Sequence, residues 1–193
     1  MPTARSGGGP GRRGHRRSGT GGHDAPVPGS VADDTPDADP ASVARTIALR
    51  KLTAAPRTRA QLADALARGG VPDDVTEVTL DRFEELGLVD DEEFARQWAR
   101  TRQAGRGLAR RALSAELRAK GVDPEVAAEA VEAVDDDDER EAARRLVARK
   151  VGAMRRLDRA TASRRLMGML ARKGYNGGLA AAVVREALDS ADD

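Results

Sequence analysis

The sequence predicts an all-α protein: three tandem three-helix repeats in an elongated, curved arrangement, preceded by a disordered N-terminal tail. Three observations carry this. One pattern occurs three times: Leu62, Leu66, Gly70, Val71 and Val75 return as Leu113, Leu117, Gly121, Val122 and Val126, then as Leu166, Leu170, Gly174, Tyr175 and Leu179. The copies lie 51 and 53 residues apart, the length of one supersecondary unit built repeatedly so that neighbours help bury each other's faces. Finally, no stretch alternates apolar and polar residues for long enough to suggest a strand.

Each copy reads as helix, tight turn, helix. Leucines four apart share a helix face. A glycine four residues after the second leucine suits the left-handed position that closes a helix. Asp123-Pro124-Glu125 then supplies a capping carboxylate, a proline at the first helical position and an acid in the first turn. Asn176 holds the Asp123 position in the third copy, and Asp73 lies near it in the first. A helix precedes each pair: Val43 to Leu52, closed by Ala55-Pro56; a second starting at Asp90-Asp91-Glu92-Glu93, with Phe94 and Trp98 on one face; a third over Glu139 to Val151. Thr58-x-x-Gln61 reads as a capping box. The expected divisions are a tail over 1–40 and repeats over 41–88, 89–134 and 135–190. Gly121→Val is expected to damage the fold, because a β-branched residue is poorly suited to a left-handed cap.

The first forty residues hold Gly7-Gly8-Gly9, Arg12-Arg13-Gly14-His15-Arg16-Arg17 and a Pro/Asp run. Such a composition buries too little apolar surface to offset ordering entropy. It has no apolar core of a secretion signal, and no run in the chain is long and apolar enough to span a membrane.

Catalytic chemistry finds little footing. There is no cysteine, and the two histidines, His15 and His23, fall in the tail. That removes thiol catalysis, Cys-ligated metal and a folded histidine site. Asp135 to Asp138 are consecutive, so they do not converge on one ion. Gly105-Arg106-Gly107 lacks the strand and the later glycine of a phosphate loop, and reads as a turn. No catalytic residue, metal or cofactor is expected.

The charge is sorted instead. Net charge is only +1. Yet from Arg96 to Lys120 the bases include Arg102, Arg106, Arg110, Arg111, Arg118 and Lys120, against Glu116 alone. From Arg144 to Lys173 they include Arg155, Arg156, Arg164, Arg165, Arg172 and Lys173, against Asp158 alone. Stacked repeats would set these runs side by side, as a surface for a polyanion or an acidic partner with salt-dependent binding. Asn, Gln and aromatic residues are scarce, which disfavours base reading and base stacking and leaves phosphate or acidic-protein contacts. Replacing Arg102, Arg106, Arg110 and Arg111 by Ala is expected to weaken binding with melting nearly unchanged.

One segment is more specific. Leu86-Gly87-Leu88-Val89-Asp90-Asp91-Glu92-Glu93-Phe94-Ala95, followed by Arg102, the Gly105/Gly107 region and Leu113-x-x-Glu116-Leu117-x-x-x-Gly121-Val122, resembles the RecX family of RecA regulators. The resemblance covers about residues 42 to 190. It departs where the family often has an aromatic residue and a proline, here Gly105-Arg106-Gly107-Leu108. It implies tandem three-helix repeats and binding in the groove, or at the growing end, of the RecA–DNA filament. It also implies modulation of filament growth, strand exchange, ATP hydrolysis and SOS-repressor cleavage by a cytoplasmic protein that is not an enzyme. A monomer is expected. The alternatives are a stand-alone helix-turn-helix DNA-binding protein or transcription factor, and a helical scaffold for an acidic protein.

Overall fold

The computed structural model describes residues 39–192. Among them are nine α-helices, one 3-10 turn (Gly152–Met154) and no strand. The helices are α1 (Pro40–Ala54), α2 (Arg59–Arg68), α3 (Asp73–Glu85), α4 (Asp91–Arg106), α5 (Arg110–Ala119), α6 (Pro124–Glu132), α7 (Asp136–Val151), α8 (Arg159–Arg172) and α9 (Gly177–Asp192). The tail reading falls outside the described residues up to 38. Asp39 and Pro40, assigned to it, instead cap and open α1: the Asp39 carboxylate accepts from Ala41 N at 3.3 Å.

The helices pack in threes. The repeated leucines Leu62, Leu66, Leu113, Leu117, Leu166 and Leu170 are all fully buried. Each full burial of such a side chain stabilises by about 1.5–3 kcal/mol. Each pair anchors one of three cores, with Leu80 and Phe83 in the first, Val122 and Val131 in the second, Val147 and Val184 in the third. Two residues cross between bundles: Val89 packs in the first core, and Ala109, from the α4–α5 link, in the third.

The pattern itself is a helix stop. Gly70, Gly121 and Gly174 have φ of 74°, 80° and 89°. The amide after each glycine donates back to the second leucine: Val71 to Leu66 O at 3.1 Å, Val122 to Leu117 O and Tyr175 to Leu170 O at 3.2 Å. The glycine amides donate to Ala67, Arg118 and Ala171. These paired bonds are Schellman motifs, and the leucine with the following Val or Tyr is the apolar contact that accompanies them. Start signals hold too: the Thr58/Gln61 capping box forms, Asp90 accepts from Glu93 N at 2.7 Å, and Asn176 from Leu179 N at 2.8 Å. At α3 the cap is Pro72 with no side-chain bond, and Asp73 is the first helical residue.

Gly105-Arg106-Gly107 is not a turn as a whole. Helix α4 runs through Gly105 to Arg106, and only Gly107 is left-handed, at φ 58°. An interior helical glycine costs about 1 kcal/mol, too little to end a helix whose core face continues.

The bundles meet through two equivalent joints at the start of each second helix. At the first, the Thr58 hydroxyl donates to Lys120 O at 2.7 Å, Arg59 N donates to Asp91 Oδ1 at 2.9 Å, and Gly121 abuts Ala60. At the second, Ala109 N donates to Lys173 O at 3.0 Å, Arg110 N to Glu139 Oε1 at 2.9 Å, and Gly174 abuts Ala112. The incoming bundle thus supplies a carboxylate for the first free amide of the helix and a turn without a Cβ. Burial pushes the Asp91 carboxyl up, while the Arg59 amide and guanidinium pull the other way.

Tyr175 seals the second joint. Its hydroxyl donates to Gly107 O at 3.2 Å, and burial pushes the phenol up to about 12. It is the single tyrosine of the chain, so an ultraviolet pH titration reads it alone. The midpoint is expected near 12 in the folded protein and near 10 in denaturant. Because the folded state holds the proton more tightly, stability is full below about pH 10 and falls as pH rises towards 12. A native midpoint of 10 would show that the hydroxyl is not sealed.

Candidate functional site

The basic residues separate into an engaged set and an open set. In the middle bundle, Glu116 on α5 gathers three partners from α4: it accepts from Trp98 Nε1 at 3.0 Å and pairs with Arg106 at 3.4 Å and Arg102 at 3.7 Å. The Trp98 ring stacks on Phe94, and two cations, Arg102 and Lys120, each lie over it 4.0 Å from its centroid. Arg110 pairs with Glu139 at 3.4 Å, and that carboxylate is only 10% exposed. Lys173 Nζ donates to Arg106 O at 2.6 Å.

Arg102, Arg106, Arg110, Lys120 and Lys173 therefore carry internal structure. Ala at Arg102, Arg106, Arg110 and Arg111, expected from the sequence to leave melting nearly unchanged, is expected from these contacts to lower it. Truncating Arg102 removes a cation–π contact and an ion pair, and truncating Arg110 leaves the buried Glu139 carboxylate without its guanidinium. Arg111 and Arg118 are exposed and make no ion pair among the described residues.

The third bundle differs. Arg155, Arg156, Arg164, Arg165 and Arg172 are exposed, and among the described residues none makes an ion pair. Arg164 donates to Thr161 Oγ1 at 3.2 Å. Three of these converge. Arg164, Arg165 and Arg172 of α8, with Lys150 from the last turn of α7, line a cleft of about 380 Å³ floored by Met154, Gly168 and Met169. The spacing explains it: residues 165, 168, 169 and 172 share one face of α8. No carboxylate lines the cleft. Arg155 lies in a neighbouring cavity of about 570 Å³, with Val151, Leu157 and Leu188.

The basic run read from the sequence holds these arginines and Lys150, whereas Met154, Gly168 and Met169 were not singled out. A signal was present: three of the four methionines fall between residues 154 and 169, and methionine serves adaptable binding surfaces. Among the described residues no group of acids or histidines is placed to hold a metal ion, and no helix is long and apolar enough to cross a membrane.

Comparison with known proteins follows the same three-part division. Family models for the RecX first, second and third three-helix domains match residues 44–83, 90–131 and 137–184, together more than half of the chain. A protein of Streptomyces lividans named regulatory protein RecX is 54% identical over 154 residues, which is 80% of this chain and 82% of that protein. A protein of the same name from Thermobifida fusca is 52% identical over 169 residues, 88% and 89% of the two chains. The crystal structure of RecX from Lactobacillus salivarius superposes with a TM-score of 0.72 at 21% identity, covering 77% of this chain and 97% of that one, so the fold is shared where most of the sequence has changed. With all three domains matched in order and about half the residues kept in relatives over most of their length, this chain belongs to the RecX family.

Proposed function

We propose that this protein regulates the RecA recombinase by binding the RecA–DNA filament, mostly inhibiting its recombinase, ATPase and coprotease activities, and so tuning DNA repair and the SOS response. It acts in the cytoplasm, as a monomer, without a cofactor and without catalysing a reaction itself. The observation that carries this reading is the unbroken run of three RecX domains in a chain about half identical to proteins named as regulatory. Two features of the fold support it. Tandem bundles offer a filament repeated faces, and the third bundle carries an open basic surface suited to an acidic protein or to DNA phosphates.

The test is a titration of this protein into RecA assembled on single-stranded DNA. ATP turnover and strand exchange are expected to fall at amounts well below one copy per RecA. Unchanged rates up to full filament stoichiometry would sink the reading.

A further inference from the structure

The cleft floored by Met154 and Met169 has a counterpart in each of the other bundles. Leu62, Leu113 and Leu166 set the register of the second helices. The first helices align through their buried faces, where Ala44, Ala95 and Ala143 are all fully buried. The joints agree: in that register Asp91 corresponds to Glu139, and each caps a backbone amide of the preceding bundle. Lys51, Arg102 and Lys150 then share one position on the first helix, and Ala65, Glu116 and Met169 share one on the second.

In the middle bundle the chain closes this place itself. Members of the Glu116 cluster correspond to residues lining the outer clefts: Trp98 to Ile47, Arg102 to Lys51 and Lys150, Arg106 to Met154, and Glu116 to Ala65 and Met169. The first-helix cation is thus kept in all three bundles, but its carboxylate in one. In the first bundle Arg50, Lys51 and Arg68 line a cleft of about 210 Å³ with Ile47 and Ala65. In the third, Lys150, Arg164, Arg165 and Arg172 surround Met154 and Met169. Among the described residues none of these cations makes an ion pair, and no carboxylate lines either cleft.

We infer that the first and third bundles are two equivalent ports, each of which seats one acidic, leucine-bearing segment of a partner protein. The middle bundle shows what the position takes. There a carboxylate meets Arg102, Arg106 and the Trp98 indole N–H. Ala65 and Met169 supply no such group, so the outer cations are left for carboxylates from outside the chain. Ile47 with Ala65, and Met154 with Met169, add an apolar seat. A leucine gains from that contact, whereas a phosphodiester does not. No aromatic ring lines either cleft to stack a base. The bundle joined to both commits Arg102 and Arg106 to Glu116, which makes the open clefts two separate ports rather than one track for a phosphate backbone. A partner that repeats can fill both at once, and the pair then holds it more tightly than either port alone.

The inference rests on the reading of the protein as a regulator that docks on a protein filament, but its test needs no recombinase. The probes are a helical peptide of about 18 residues, or five turns, with glutamates on one face and leucines on the other; the same peptide with serine for leucine; and oligothymidylate of equal charge. Calorimetric titration of the full chain with the leucine peptide is expected to give two peptides per chain, with Kd on the order of 10 µM. Arg50→Glu/Arg68→Glu should remove one of the two, Lys150→Glu/Arg172→Glu the other, and the four changes together should abolish binding. All of these residues are exposed, and circular dichroism checks that each variant is folded. Exchange of leucine for serine should weaken both sites severalfold. Four results would overturn the inference: no binding of the leucine peptide, loss of binding through one pair of changes only, indifference to leucine, or a charge effect confined to oligothymidylate. Failure here with recombinase inhibition intact would leave the regulatory reading standing. Binding of two peptides without inhibition would do the reverse.

Discussion

Adding one methyl group at Gly121 is expected to cost about 3 kcal/mol, whereas the same methyl at Gly70 costs about 1 kcal/mol. Both glycines close a Schellman motif, with φ of 80° and 74°, so Ala meets similar left-handed strain at each. Their surroundings differ. A Cβ at Gly70 meets nothing within 4 Å, while one at Gly121 overlaps the Cβ of Ala60 across the first joint. The difference between Gly121→Ala and Gly70→Ala therefore isolates the joint from the turn. Gly174→Ala should resemble Gly121→Ala, because its Cβ would sit 2.7 Å from the amide nitrogen and Cβ of Ala112. Chemical denaturation of the three variants reads the losses. Equal losses at Gly70 and Gly121 would mean that the joint yields freely and contributes little. Gly121→Val, expected from sequence alone to damage the fold, adds a β-branched side chain to the same collision.

These turns show how much of the fold was legible. Leucine spacing, glycine position and capping residues are local signals, and each reports on bonds spanning at most five residues. Thr58, Asp90, Asp123 and Asn176 therefore cap as their sequence context predicts. The joints join residues that are far apart, such as Thr58 with Lys120 and Gly107 with Tyr175. Nothing about Ala60 or Ala112 marks it in the sequence as the seat of a glycine turn. The candidate site divides in the same way. Basic runs are visible as composition. That Glu116 holds Trp98, Arg102 and Arg106 together is a property of how α4 packs on α5, and it gives two of the arginines read as binding surface an internal partner as well. The cleft of the third bundle needed α7 and α8 side by side before Lys150 and the methionines joined the arginines.

The second large effect concerns that cleft. Arg164 and Arg165 are exposed and make no ion pair among the described residues; reversing their charge removes one exposed hydrogen bond, from Arg164 to Thr161 Oγ1. Surface substitutions of this kind change stability by roughly 0.5 kcal/mol or less. Opposing a partner's carboxylates with glutamates costs several kcal/mol of binding. Arg164→Glu/Arg165→Glu is therefore expected to melt like the parent protein yet lose the proposed action on RecA. Arg102→Ala/Arg106→Ala should show the opposite balance: reduced stability from the loosened Trp98 and Glu116 cluster, with inhibition by the folded fraction retained.

The central claim is that this RecX-family chain regulates a filament through the open basic face of its third bundle. It is tested most directly by the RecA ATPase titration run in parallel with the parent protein and with Arg164→Glu/Arg165→Glu. The parent should inhibit below filament stoichiometry, and the folded variant should need at least about tenfold more protein for the same inhibition. Superimposed inhibition curves would contradict the account.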